Sequence, residues 1–184
     1  VYLMWPDREK NLNDLIQKVK KKAGSYGRSI KFGLRIHVIV RETEDEAKAY
    51  ARGLISKLNL TKGEDIKNRA LDSKSLGVLI QNNLRSQSDE DFFAEPNLWT
   101  GIGLARSGCG AALVGNPDQV TSKLKRYIDM GIDSFILSGY PHNNECEMFG
   151  NYILPHFNNI SLSKQLGRTP RIKPNSPLCE GPRK

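Results

Sequence analysis

The chain has 184 residues, 38% of them hydrophobic and 26% charged, with 28 Lys and Arg against 20 Asp and Glu for a net charge of +8. That length suits one folded domain, and the composition excludes a disordered, collagen-like or low-complexity chain. No apolar stretch reaches the ~20 residues that cross a bilayer. Cys109, Cys146 and Cys179 lack both the even number of a disulfide framework and the C-x-x-C spacing of a zinc site. The expectation is a protein of the reducing cytoplasm with no membrane span, signal peptide or metal.

Residues 1–5 are a run of strand formers closed by Pro6 and Asp7, and they read as a buried strand. Leu12, Leu15, Ile16, Val19 and Ala23 recur at helical spacing over about 12–25 and leave Lys18, Lys20, Lys21 and Lys22 as a solvated face. Residues 32–40 are too uniformly apolar for a strand with one wet face and fit a parallel sheet covered on both sides. Thr43 and Glu46 form a capping box that opens a helix with Ala47, Tyr50, Ala51, Leu54, Ile55 and Leu58 on one face.

Residues 59–110 have weak helical periodicity and read as a long functional or mobile insertion. A short apolar strand follows at 111–114, and Gly115 makes the turn. Asn116, Pro117 and Gln119 then supply an N-cap, a first-turn proline and a box residue. Val120, Leu124, Tyr127 and Ile128 form that helix's stripe, Gly131 ends it, 134–138 is a strand, and a last helix spans about 144–154. Residues 160–184 carry +5, four prolines and no aromatic, so they read as an extended arm. Without aromatics among its basic residues, the arm gives no sign of nucleic-acid binding.

Strands alternating with helices predict a parallel α/β sheet, doubly wound or part of a barrel. A complete (β/α)8 barrel needs eight units and typically about 250 residues. Four units, opening at Val1 inside a core-like strand, predict the C-terminal half of a TIM barrel. Its domain is 1–159, with an insertion or lid at 59–110 before the penultimate strand and a basic Pro-rich tail at 160–184. Four strands cannot close a barrel, so an edge and apolar inner faces are expected to lie uncovered.

Alternation along 32–40 sends Arg35 and His37 to one face and Leu34, Ile36 and Val38 to the other. A guanidinium and an imidazole in a buried apolar strand cost several kcal/mol unless paired or facing a solvated cavity. One reading is a structural ion pair and a core histidine. The other is an anion site, since the guanidinium fork matches carboxylate, sulfonate or phosphate. Tyr140 and His142 lie just past the last strand, at the active-site end of a barrel, as proton carriers or as parts of a plain turn. Trp5, at the equivalent end of the first strand, is either a cofactor wall or a core tryptophan.

Gly101 to Gly110 fails as a dinucleotide loop because Arg106 stands where the last glycine of G-x-G-x-x-G belongs, and the segment precedes a strand. Arg106 is a lid cation or a solvent-exposed arginine. Cys109 and Cys146 read as packing residues. The turn from Gly115 to Pro117 offers amides to a phosphate, or is an ordinary capped helix.

Three segments resemble the C-terminal half of the flavin-dependent alkanesulfonate monooxygenases of the bacterial-luciferase-like family: 32–43, from Phe32 to Thr43; 96–106, from Pro96 to Arg106; and 131–142, from Gly131 to His142. The likeness runs from Val1 to about Phe157. It implies that Trp5, Arg35, His37, Arg106 and Tyr140 line the active site. Arg35, Arg106 and Trp5 would contact substrate, Trp5 and Tyr140 the cofactor, and Arg35, His37 and Tyr140 would act in catalysis. It further implies reduced FMN from a separate NAD(P)H-dependent reductase, O2 as co-substrate, and cleavage of an alkanesulfonate to an aldehyde and sulfite by a homo-oligomer when full length. The family's N-terminal half has no counterpart here, so the chain is expected to be an inactive fragment or truncated product. The alternative is a non-catalytic remnant that binds an anion or a partner.

Overall fold

The computed structural model describes residues 1–69, 75–104, 110–158 and 167. The expected tail at 160–184 therefore lies, Gly167 apart, outside the described residues. The spine is strand β2 (Phe32–Val40), which pairs in parallel with β1 (Tyr2–Met4), β5 (Ala112–Gly115) and β6 (Ser134–Ser138). Two short strands, β3 (Phe93–Glu95) and β4 (Leu98–Trp99), continue the sheet antiparallel beyond β5. The result is an α/β fold with a curled mixed sheet that forms a half-barrel, as the four strand-helix units predict.

The backbone bonds of β2 fix the strand order. The Tyr2 amide donates to the Lys31 carbonyl and the His37 amide to the Ala111 carbonyl, whereas the Asp133 amide donates to the Phe32 carbonyl. Successive residues of a strand direct their backbone groups to opposite edges, so β1 and β5 share one edge of β2 and β6 occupies the other. β6 thus lies beside β2 and not beside β5, a departure from the consecutive order of a closed barrel. A long apolar strand with one bare edge would invite pairing with another chain. β6 covers that edge here.

Helices α1 (Glu9–Gly24) and α5 (Pro117–Asp129) pack on the even-numbered face of β2. Leu12 and Ile16 of α1 and Val120, Leu124 and Tyr127 of α5 join Leu34, Ile36, Val38 and Val40 in one core. Each such aliphatic side chain contributes roughly 1.5–3 kcal/mol on burial. The caps read from sequence are present at both predicted boxes, Thr43 with Glu46 and Asn116 with Gln119. Gly131 ends α5 at φ +102, where a side chain would be strained. Helix α6 (His142–Tyr152) starts two residues earlier than expected because Pro141 takes the N-cap position.

The expectation of bare apolar inner faces holds for only part of the sheet. Helix α2 (Glu44–Ile55) lays Ala47 and Ala51 over Ile39, Ala112 and Val114, and Trp99 and Ile102 complete that cluster. Small residues let the helix approach the sheet closely, which removes this part of the face from water. The rest stays open. Leu3 is 51% exposed and Ile136 50%, so β1 is less buried than its apolar run predicts.

The insertion also holds more structure than its sequence suggests: α3 (Leu60–Arg69), α4 (Leu76–Ser86), the β3–β4 pair, and a 3-10 turn at Gly101–Leu104. In α4 the large apolar Leu76, Leu79 and Ile80 face solvent while Gln81 and Leu84 are buried, so hydrophobic spacing does not mark the packed face. The Gln81 amide donates 2.8 Å to the Pro6 carbonyl and ties α4 to the end of β1. No helix among the described residues is long and apolar enough to cross a membrane.

Candidate active site

The alternation expected in β2 is observed. Leu34, Ile36 and Val38 enter the α1–α5 core, and Arg35 and His37 share the opposite face with Ile39. Arg35 is half-buried and stands opposite Ile136 in register, while His37, 3% exposed, stands between Ala112 and Ser138.

The structure brings four of the five expected residues into two neighbouring pairs. The Arg35 guanidinium carbon lies 5.7 Å from the Trp5 ring centre. That contact is worth about 0.5–2 kcal/mol depending on desolvation. Trp5 is itself backed by α4 at Gly77, where an added Cβ would come 3.1 Å from the indole nitrogen. The His37 and Tyr140 rings stack at 5.5 Å and 18°, and His142 meets Tyr140 edge-on at 4.9 Å. Arg106, the fifth, lies outside the described residues, as does Cys109.

Two features bear on what the site holds. No Asp or Glu among the described residues pairs with Arg35, so the structural ion-pair reading finds no partner there. The Ser138 hydroxyl oxygen, in register with His37, is buried and has no hydrogen-bond partner among the described residues. A buried hydroxyl left unpaired costs about 1–3 kcal/mol. A ligand oxygen or nitrogen beside His37 would recover that bond. Nothing in the sequence singles out Ser138, because a serine at a strand end carries no motif.

One expectation changes, and one of two open alternatives is favoured. Cys146 is exposed on α6 and is not a packing residue, because the buried position of that helix is Glu145. The start of α5 is an ordinary cap. Asn116 and Gln119 satisfy each other's backbone amides, and the Gln119 amide donates 2.6 Å to a Glu44 carboxylate oxygen. Hydrogen bonds from Lys48 and Gln119 hold Glu44 below the ordinary carboxylate range, so the helix start already faces a negative charge. A phosphate would be repelled there.

Gly139 sets the approach of α6 to β2. An added Cβ would overlap the Glu145 side chain, 2.6 Å from its Cγ, and lie 3.1 Å from the Val38 carbonyl. Gly139→Ala is expected to lower stability by about 1–3 kcal/mol through overpacking. An unchanged urea midpoint would show that α6 yields freely.

The luciferase-like monooxygenase family matches residues 1–134. The chain belongs to that family. It is 56% identical over 163 residues to the sulfoquinovose monooxygenase of Novosphingobium aromaticivorans, covering 89% of this chain and 45% of that relative. It is 51% identical over 183 residues to the sulfoquinovose monooxygenase of Agrobacterium fabrum, covering 100% of this chain and 48% of that relative. The crystal structure of DmoA from Hyphomicrobium sulfonivorans superimposes with a TM-score of 0.60 at 21% identity, over 95% of this chain and 39% of that one. The chain thus spans about half the length of the luciferase-like relatives it matches.

Proposed function

We propose that this chain supplies the carboxyl-terminal part of the active site of a flavin-dependent monooxygenase that cleaves the carbon–sulfur bond of an organosulfonate. The observation that carries the reading is the half-buried Arg35 guanidinium, 5.7 Å from the Trp5 ring centre, with no carboxylate partner among the described residues. A sulfonate stays anionic at every physiological pH, and its three oxygens accept the paired N–H groups of an arginine. Sulfoquinovose, a sugar sulfonate, is favoured over a simple alkanesulfonate by the names of the two relatives.

The reaction balances as sulfonate, O2 and reduced flavin giving aldehyde, sulfite, oxidised flavin and water. Reduced flavin, delivered by a separate NAD(P)H-dependent reductase, would supply the two electrons that activate O2. Arg35 orients the sulfonate and offsets the charge that builds on the departing sulfite. The Trp5 ring and the unpaired Ser138 hydroxyl fit an aromatic, polar-edged cofactor or its substrate. His37 and Tyr140, whose rings stack, are assigned the holding or passing of a proton during the reaction. Arg106 is proposed as the second cation, closing over the sulfonate.

Leu3 and Ile136 lie open to solvent on the face that carries Arg35, so the chain alone does not exclude water from the guanidinium. With FMN, a flavin reductase, NADH and sulfoquinovose, the isolated chain is therefore expected to release no sulfite. Fused in frame behind the amino-terminal half of a longer relative, it is expected to release sulfite stoichiometrically with sulfoquinovose consumed. A fusion that folds and binds reduced FMN yet forms no sulfite would defeat the proposal. Sulfite from the chain alone would refute the need for a second half.

A further inference from the structure

We propose that Arg41, Tyr50 and Glu145 form a clamp that positions Tyr140 against His37. Its consequence for catalysis rests on the reading of those two rings as site residues, whereas the clamp itself does not. Glu145, on α6, is 5% exposed. An unpaired carboxylate at that depth would cost several kcal/mol, so a cation must meet it. Arg41, the residue after β2, does so with both nitrogens of its fork, at 2.6 and 3.3 Å.

The same guanidinium is held from two further sides. One nitrogen also donates 2.6 Å to the Val40 carbonyl, and the Arg41 plane sits 3.6 Å from the Tyr50 ring centre on α2. A lysine could meet the carboxylate but could not both fork and stack. With its ring fixed in this way, Tyr50 presents its hydroxyl to the Tyr140 carbonyl at 3.0 Å. In the first intrahelical bond of α6 the Glu145 amide donates 3.1 Å to the carbonyl of the N-cap residue Pro141. Two consecutive carbonyls are therefore gripped by two different helices, with Arg41 bridging the grips. The segment cannot slide without breaking one of them, and Tyr140 is the side chain it carries onto His37.

The clamp predicts that a residue remote from the ring stack controls it. The test uses the 184-residue chain, which has three histidines, His37, His142 and His156. Imidazole carbon and proton shifts are recorded for wild type, Tyr140→Leu, Tyr50→Phe and Arg41→Lys. Tyr140→Leu removes the ring and identifies the signals that sense it, expected to be those of His37 and His142. Tyr50→Phe deletes one hydroxyl at constant shape and is expected to move the same signals toward their Tyr140→Leu positions, with His156 unmoved. Amide exchange across 139–145 is expected to quicken about tenfold in Tyr50→Phe, the loss of one ordinary hydrogen bond. Arg41→Lys, which keeps the charge, is expected to act like Tyr50→Phe and not like wild type. Wild-type His37 and His142 shifts in Tyr50→Phe, or equal movement of His156, would overturn the proposal. None of these readouts depends on whether the protein cleaves a sulfonate.

Discussion

Arg35→Ala is expected to lower kcat/KM for sulfoquinovose by about ten- to a hundredfold in the fused, sulfite-releasing enzyme. A hydrogen bond to a charged partner contributes roughly 1.5–3 kcal/mol, and each 1.4 kcal/mol is a factor of ten. If the guanidinium grips the sulfonate equally in ground and transition states, KM carries the loss. If it acts mainly on the departing sulfite, kcat carries it. Arg35→Lys separates charge from geometry. An ammonium retains the attraction but not the paired N–H groups of the guanidinium fork, so partial activity is expected. Unchanged turnover in Arg35→Ala would assign Arg35 to packing against Trp5 and would remove the main support for an anion site.

The legible parts of this molecule are those in which one physical rule acts alone. Alternation along Phe32–Val40 places Arg35 and His37 on one face whatever surrounds the strand. The capping boxes at Thr43 and Asn116 are local in sequence and appear as written. The parts that were not legible depend on partners distant in the chain. Nothing around Glu145 in the sequence announces its burial, because its partner Arg41 lies 104 positions earlier. Tyr50 sits in the apolar stripe of α2, and nothing in that stripe announces that its hydroxyl leaves the core to meet Tyr140. The place of β6 beside β2 follows from which edge of a long strand needs cover, a choice that strand count does not make.

The stability of the fold has a similar non-local centre at Lys123, which is 1% exposed on α5. Its ammonium lies 2.7 Å from a Glu9 oxygen on α1 and 2.5 Å from a Glu95 oxygen on β3, and Arg126 adds a 2.9 Å bond to Glu9. The Glu9 amide in turn donates to the Glu95 carboxylate at 3.2 Å, so one charge cluster joins α1, α5 and the insertion. Lys123→Met keeps the aliphatic volume but leaves two partly exposed carboxylates facing each other, with Arg126 still bonded to Glu9. Breaking a fully buried pair from one side costs about 3–5 kcal/mol; water at the partly exposed carboxylates lowers this to about 1–3 kcal/mol, still a sizeable share of the roughly 5–15 kcal/mol that holds a domain together. Adding Glu9→Gln and Glu95→Gln to Lys123→Met is expected to restore much of the loss, because the neutral amides can bond to each other without a counter-charge. Burial pushes the Glu9 carboxyl up, but hydrogen bonds and charge from Lys123 and Arg126 outweigh it and hold the group below its ordinary value of 4.5. As pH falls, the unfolded chain therefore takes up this proton before the folded chain does, and protonation favours unfolding. The contribution of Glu9 is complete above the ordinary carboxylate range and disappears as pH drops through its lowered folded value. Urea midpoints from pH 7 to pH 3 are expected to fall with acidity in the wild type and to fall less in the triple variant, where that carboxylate is gone. A Lys123→Met midpoint equal to wild type at neutral pH would show that water and Arg126 suffice for the two carboxylates, and that Lys123 is not the link between the insertion and the sheet.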